Sequence, residues 1–251
     1  MTETFHFLPT IDLLILTIFI IALAGILRGF MGFGPALITI PVLAYIFSPK
    51  EALVIHIIME IPSTIFLLPF ALRHSNLKEM IPMFSSMTIA IPLGMLMIVL
   101  IDPQYMRMVI SILVLILVGF LWTGWKVKSK IGLRTMILSG ACGGFMQGSA
   151  GMGGPPIVSI LLARGDTPDN SRGNVMFLMA GIVVVTILTQ LGYGLINLKL
   201  FTIGMLASPV YMITTLLGSR YYSKNGKNKF KKLALLLLAI IASATLIASF
   251  Y

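Results

Sequence analysis

Two glycine-rich interruptions, set 119 residues apart, constrain this chain more than any other feature. Shifting the sequence by 119 positions lays Gly25, Gly29, Gly32, Gly34 and Pro49 onto Gly144, Gly148, Gly151, Gly153 and Pro168. In each copy an apolar stretch runs into closely spaced glycines, and proline then opens a short second apolar segment: Pro35 in the first copy, Pro155 and Pro156 in the second. The pattern reads as a helix broken and restarted, twice. Proline fits the first helical turn, where its missing N–H would be unpaired anyway, and glycine lets the chain turn and a ligand approach the backbone.

The solvent for these breaks follows from composition: 58% of the 251 residues are hydrophobic and 10% charged, against roughly 25% charged in soluble domains. Mean hydropathy is +1.02. Apolar runs near the ~20 residues that span a bilayer fill most of the chain, so the class is an all-α polytopic membrane protein. Inside a bilayer, irregular backbone is tolerated only where protein buries it or where it lines a cavity. Each restarted helix aims unpaired N–H groups and the positive end of its dipole at the break. Two such ends in one chain suggest an anion site.

Ten apolar segments are expected: 10–31, 34–47, 50–72, 77–100, 104–126, 132–150, 153–164, 168–196, 199–221 and 230–251. The second and seventh hold only 14 and 12 residues, about 21 and 18 Å at ~1.5 Å per residue, less than a ~30 Å hydrocarbon core. They are short spans or re-entrant hairpins, and either choice returns the chain to the same side. Numbering the connections alternately puts 14 basic residues on one side, among them Arg73, Lys78, Arg134, Arg164, Arg172 and Arg220, and three (Lys50, Arg107 and Lys199) on the other. The positive-inside rule then makes the first side cytoplasmic, with both termini outside. Five segments per half is an odd number, so residues 1–128 and 129–251 form two inverted-topology repeats within one membrane domain. Inverted repeats with broken helices near the midplane are a recurring plan of secondary transporters. Trp122 and Trp125 beside the basic central loop read as interfacial anchors, and Tyr221 and Tyr222 before the basic run to Lys232 as a lipid-facing turn. The net charge of +10 belongs to these loops and needs no nucleic acid. The N-terminus lacks the features of a signal peptide.

Few residues within the spans can carry chemistry. Arg28 stands at the first break, where a charge is expensive and usually functional, and the repeat places Gln147 at the equivalent position. A guanidinium fork matches the oxygens of carboxylate, sulfite, sulfonate or phosphate; an arginine snorkelling to the cytoplasmic interface, or clamping loose carbonyls, is the competing reading. His56 and Glu60, four apart, share a helix face and are proton-coupling candidates, with a structural pair or a carboxylate balancing Arg28 as the alternative. Ser149 and Ser159 are small polar neighbours of the second break, their hydroxyls placed to bond substrate or backbone, and Asn174, one turn into the eighth segment, is a candidate to reach the cavity. Three histidines and Cys142 are never clustered, so neither a metal site nor a disulfide is expected. The absence of a GxxxxGK[ST] run speaks against ATP hydrolysis, and no nucleophile and base set suggests an intramembrane enzyme. No cofactor is expected.

GFMGFGPALITIPVL followed by SP, and GFMQGSAGMGGPPIVSILLARG followed by TP, resemble the paired signatures of the sulfite exporter TauE/SafE family. The likeness extends over the whole chain in length, repeat layout and basic central loop. It implies a bacterial or archaeal cell-membrane permease for small organic or inorganic anions, often sulfur-containing, such as sulfite, sulfonates or sulfoacetate. The motif positions it carries over are Gly29, Gly32, Gly34 and Pro41 in the first half and Gly148, Gly151, Gly153, Gly154 and Pro155 in the second. Pro35 and Ile160 depart from the pattern. Together the residues and the resemblance lead to the expectation of a secondary transporter, with an anion channel on the same site as the alternative. The expected substrate contacts are Arg28, Gly29, Gly32, Gly34, Gln147, Gly148, Ser149, Gly151, Gly153, Gly154 and Asn174, and membrane lipid surrounds them.

Overall fold

The computed structural model describes residues 11–123 and 131–224. Among them the secondary structure is helical throughout: α1 (Ile11–Met31), α2 (Ala36–Ile46), α3 (Pro49–His74), α4 (Leu77–Leu100), α5 (Pro103–Thr123), α6 (Leu133–Ala150), α7 (Gly154–Ala163), α8 (Pro168–Gly192) and α9 (Leu198–Lys224). Four are long and apolar enough to cross a membrane: α3, α4, Asp169–Gly192 of α8 and Leu198–Arg220 of α9. The expected tenth segment, Trp125 and the basic residues 126–130 lie outside the described residues.

The boundaries are set by local chemistry, and they repeat. Ser48 caps α3 in a capping box: its hydroxyl accepts from the Glu51 N–H at 3.3 Å, and its own N–H donates to Glu51 Oε2 at 3.0 Å. Pro49 fills the first helical position, where proline costs nothing. At the shifted position Thr167 accepts from the Asn170 N–H at 3.3 Å, and Pro168 opens α8. The breaks correspond as closely. Gly32 (φ +77°) and Gly151 (φ +69°) are left-handed, donating N–H to the carbonyls of Arg28 and Gln147, each at 2.8 Å. This is the glycine cap that ends a helix by satisfying an otherwise orphaned carbonyl. Gly34, at φ +92°, completes the first turn, and α2 begins two residues on.

Helices exchange partners across the chain. The most extensive packing sets α4 against α6 and α1 against α9, while α3 and α8 pack on each other at the centre. Small residues make the first two contacts possible. A Cβ on Gly29 would lie 1.9 Å from the Thr215 carbonyl oxygen of α9, and one on Gly148 would lie 2.1 Å from the Ile91 oxygen of α4. Such spacing is the small-xxx-small packing that lets backbones approach within a bilayer. The glycines one turn earlier, Gly25 and Gly144, are pressed against the same neighbours. Gly148→Val is therefore expected to lower the thermal midpoint of the detergent-solubilised protein by more than 10 °C. Gly192→Ala, where nothing lies within 4 Å of the added Cβ, should leave it unchanged.

α3 and α8 run antiparallel. The start of α8 meets the end of α3, where Gly173 abuts His74 and Asn174 Oδ1 accepts from the Ser75 hydroxyl at 3.0 Å and the Asn76 N–H at 2.9 Å. At the other end Ala52, Val54 and Ile55 of α3 cluster with Val183 and Ile187 of α8. The same end carries Arg107, whose guanidinium donates to the Ala44 and Phe47 carbonyls at 2.8 and 3.1 Å, and Lys50, whose ammonium reaches the Val99 carbonyl at 3.0 Å. Both cations cover the last turns of helices, where the dipole favours them. Outside the bundle, Phe19, Ile89, Leu100, Leu138 and Leu206 are exposed, while Arg28, His56 and Glu60 are buried. Apolar outside and polar inside is the arrangement lipid demands.

Candidate functional site

Where both breaks meet the α3–α8 contact there is a cavity of about 30 Å³. Arg28, His56, Glu60 and Gln147 line it together with the restarts of both broken helices, Gly34 to Leu37 on one side and Gly151, Met152, Gly154 and Pro155 on the other. Met179 and Ile182 of α8 complete the wall. A space of this size holds one or two waters.

Arg28 sits in the last turn of α1, where the negative end of the helix favours a cation, yet the residue is only 4% exposed. Nη1 lies 3.8 Å from Glu60 Oε1 and donates to the Gly32 carbonyl at 3.3 Å. Arg28 Nε is buried with no partner among the described residues. The side chain thus clamps the loosened carbonyl of the break and keeps one further buried donor.

Glu60 Oε1 gathers three groups. Besides Arg28, His56 Nε2 stands 3.7 Å away, and the Tyr211 hydroxyl of α9 donates to it at 2.9 Å. The other histidine nitrogen, Nδ1, is 2.8 Å from Thr39 Oγ1. The Thr39 hydroxyl also lies 3.1 Å from the Pro35 carbonyl, so it links the histidine ring to the first break, with the donor between Oγ1 and Nδ1 set by the histidine tautomer. His56 Nε2 faces the Glu60 carboxylate.

The second break contributes neutral donors. Gln147 Oε1 accepts from the Gly153 N–H at 3.1 Å, which turns the amide nitrogen to the opposite side. Prolines at 35, 155 and 156 have no N–H, so the helix starts offer chiefly the N–H groups of Ala36 and Gly154. Neither start has a side-chain cap. The cavity wall thus presents one guanidinium, one carboxamide and two backbone donors, a set with the chemistry to hold an oxyanion, with a carboxylate close by.

The other expected contacts are distributed differently. Gly34, Gly151 and Gly154 line the cavity; Gly32 and Gly153 shape the turns beside it; Gly29 and Gly148 face neighbouring helices. Ser149 and Ser159 donate to carbonyls of their own helices, Phe145 at 2.9 Å and Pro155 at 2.7 Å. Asn174 stands apart, its Nδ2 donating to Asp166 at 3.1 Å in a loop network with the Arg164–Glu79 and Arg164–Asp166 ion pairs. Sequence reasoning missed Thr39 and Tyr211. A lone tyrosine two residues after Pro209 in an otherwise apolar run was the available signal for the second. Among the described residues no three His, Cys, Asp or Glu side chains group as metal ligands.

No curated protein and no solved structure matches the chain. The description of the sulfite exporter TauE/SafE family matches residues 17–245, nearly the full length, and includes both breaks and every residue of the cavity wall. By that match the chain belongs to the sulfite exporter TauE/SafE family, whose members are membrane transporters of sulfite-like anions.

Proposed function

We propose that this protein is a proton-coupled secondary transporter of a small sulfur-containing oxyanion, such as sulfite, a sulfonate or sulfoacetate. The observation that carries the reading is the charge balance of the cavity. Arg28 and Glu60, 3.8 Å apart, cancel each other, so with a neutral His56 the site has no net charge to offer an anion. One proton on the His56–Glu60 pair loosens Glu60 from Arg28 and leaves a single positive charge. An anion and a proton then enter as a neutral set, which suits a site walled by lipid-embedded helices.

Residues 1–128 and 129–251 act as inverted halves that rock about the cavity, in the alternating-access scheme of broken-helix transporters. Matching caps at Ser48 and Thr167 and matching breaks at Gly32 and Gly151 support that division. The basic-residue count supports a cell-membrane orientation with both termini outside. Arg28, Gln147 and the starts of α2 and α7 bind substrate; His56 and Glu60 carry the proton.

Counterflow in proteoliposomes tests the carrier mechanism. Vesicles preloaded with unlabelled sulfite should take up labelled sulfite several-fold faster than empty ones. A pore would give equal rates, and no uptake in either case would remove sulfite as substrate.

A further inference from the structure

Away from the cavity, α8 and α3 carry buried polar side-chain atoms with no partner among the described residues. Thr186 and Gln190 of α8 are 1% and 0% exposed. Neither the Thr186 hydroxyl nor either end of the Gln190 carboxamide has a partner among the described residues. Thr64 of α3, also buried, has an equally unpartnered hydroxyl. Buried polar groups are normally paired with protein or ordered water, and in a bilayer no bulk water stands in. A glutamine brings two donors and an acceptor into that setting, where leucine would pack without loss.

Their positions are ordered relative to the cavity. Ile182 is part of its wall, and Thr186 and Gln190 follow one and two turns later on the same face of α8, about 6 and 12 Å along the axis. Glu60 lines the cavity from α3, and Thr64 follows it by one turn. Because α3 and α8 are antiparallel, Thr64 lies toward the end where Gly173 meets His74. Thr186 and Gln190 lie toward the opposite end. The orphaned polar groups thus extend from the cavity in both directions along the helix pair.

We propose that Thr186 and Gln190 form a hydrated subsite through which the transported oxyanion passes between the cavity and the end of the bundle where α8 terminates, with Thr64 beginning the corresponding route on the other side. The inference rests on the transporter reading. A hydroxyl and a neutral carboxamide hydrogen-bond to sulfonate or sulfite oxygens, and to their hydration water, without a fixed charge that would hold the anion. The acceptor oxygen of Gln190 accepts a hydrogen bond from water travelling with the ion.

Two measurements decide it. In a Cys142→Ser background, Thr186→Cys and Gln190→Cys are treated in intact membranes with 2-sulfonatoethyl methanethiosulfonate, an anionic reagent that reacts with thiols in water. Both should react at least tenfold faster than Leu188→Cys, which is exposed on the outside of α8. Thiols at 186 and 190 that react only after denaturation overturn the proposal. In proteoliposomes Gln190→Leu should slow sulfite exchange at least tenfold while raising the thermal midpoint, since a structural glutamine would lower both. Exchange at the native rate also overturns it. Should the native protein move no sulfite, the transporter assignment for that ion falls, while the labelling still decides whether a water-filled route exists.

Discussion

Arg28→Ala is expected to weaken sulfite binding by roughly ten- to a hundredfold, the equivalent of the about 1.5–3 kcal/mol of a hydrogen bond to a charged group. Among the described residues Arg28 is the one permanently charged cation in the cavity wall, and its planar fork suits an oxyanion in a way that lysine does not. The substitution also takes from the buried Glu60 its guanidinium counter-charge, leaving Tyr211 and His56 beside it, which destabilises the fold by itself. The double variant Arg28→Ala with Glu60→Gln removes both charges together. It should recover the thermal midpoint lost in the single variant and still fail to bind sulfite. Isothermal titration and thermal unfolding on the purified variants separate the two effects. Sulfite bound at native affinity by the double variant would show that Arg28 serves the fold alone.

The second large effect concerns coupling. One proton moving with each anion lets a gradient of one pH unit drive about tenfold accumulation, because each unit corresponds to about 1.4 kcal/mol per proton. Glu60→Gln preserves size and the ability to accept from Tyr211, which lies 2.9 Å from Oε1, but removes the negative charge beside Arg28 and His56 and the group that would carry the proton. Accumulation in vesicles should then fall to parity with the gradient imposed, while counterflow without a gradient continues. A Glu60→Gln protein that still accumulates sulfite tenfold would assign the proton to another residue.

Most helix limits were legible because their causes are local. Pro49, Pro168, Ser48 and Thr167 stop and start helices within one turn, so the expected starts of α3, α4 and α8 agree with the structure to within a residue. The expected Arg28 and Gln147 equivalence followed from the same repeat, and both side chains meet at one cavity. Contacts set by distant neighbours were less legible. Whether a glycine faces a ligand or a helix depends on what packs there: Gly34 borders the cavity, whereas Gly29 lies against Thr215 and Gly148 against Ile91. Tyr211 is 151 residues from the Glu60 it bonds, and tyrosine in an apolar helix is commonly interfacial. The polar orphans Thr186 and Gln190 carry no pattern in one dimension.

The partner exchange between early and late helices bears on how the protein is made. α1 is complete at Met31, but α9, which covers its glycine face, does not begin until Leu198; α4 likewise waits for α6. During synthesis the first helices therefore enter the lipid with flat, side-chain-poor surfaces bared, held only by oily surroundings and by transient neighbours. Final docking of α1 must wait for residues beyond Leu198, so a ribosome stalled before that point leaves α1 inserted without the helix that covers its glycines.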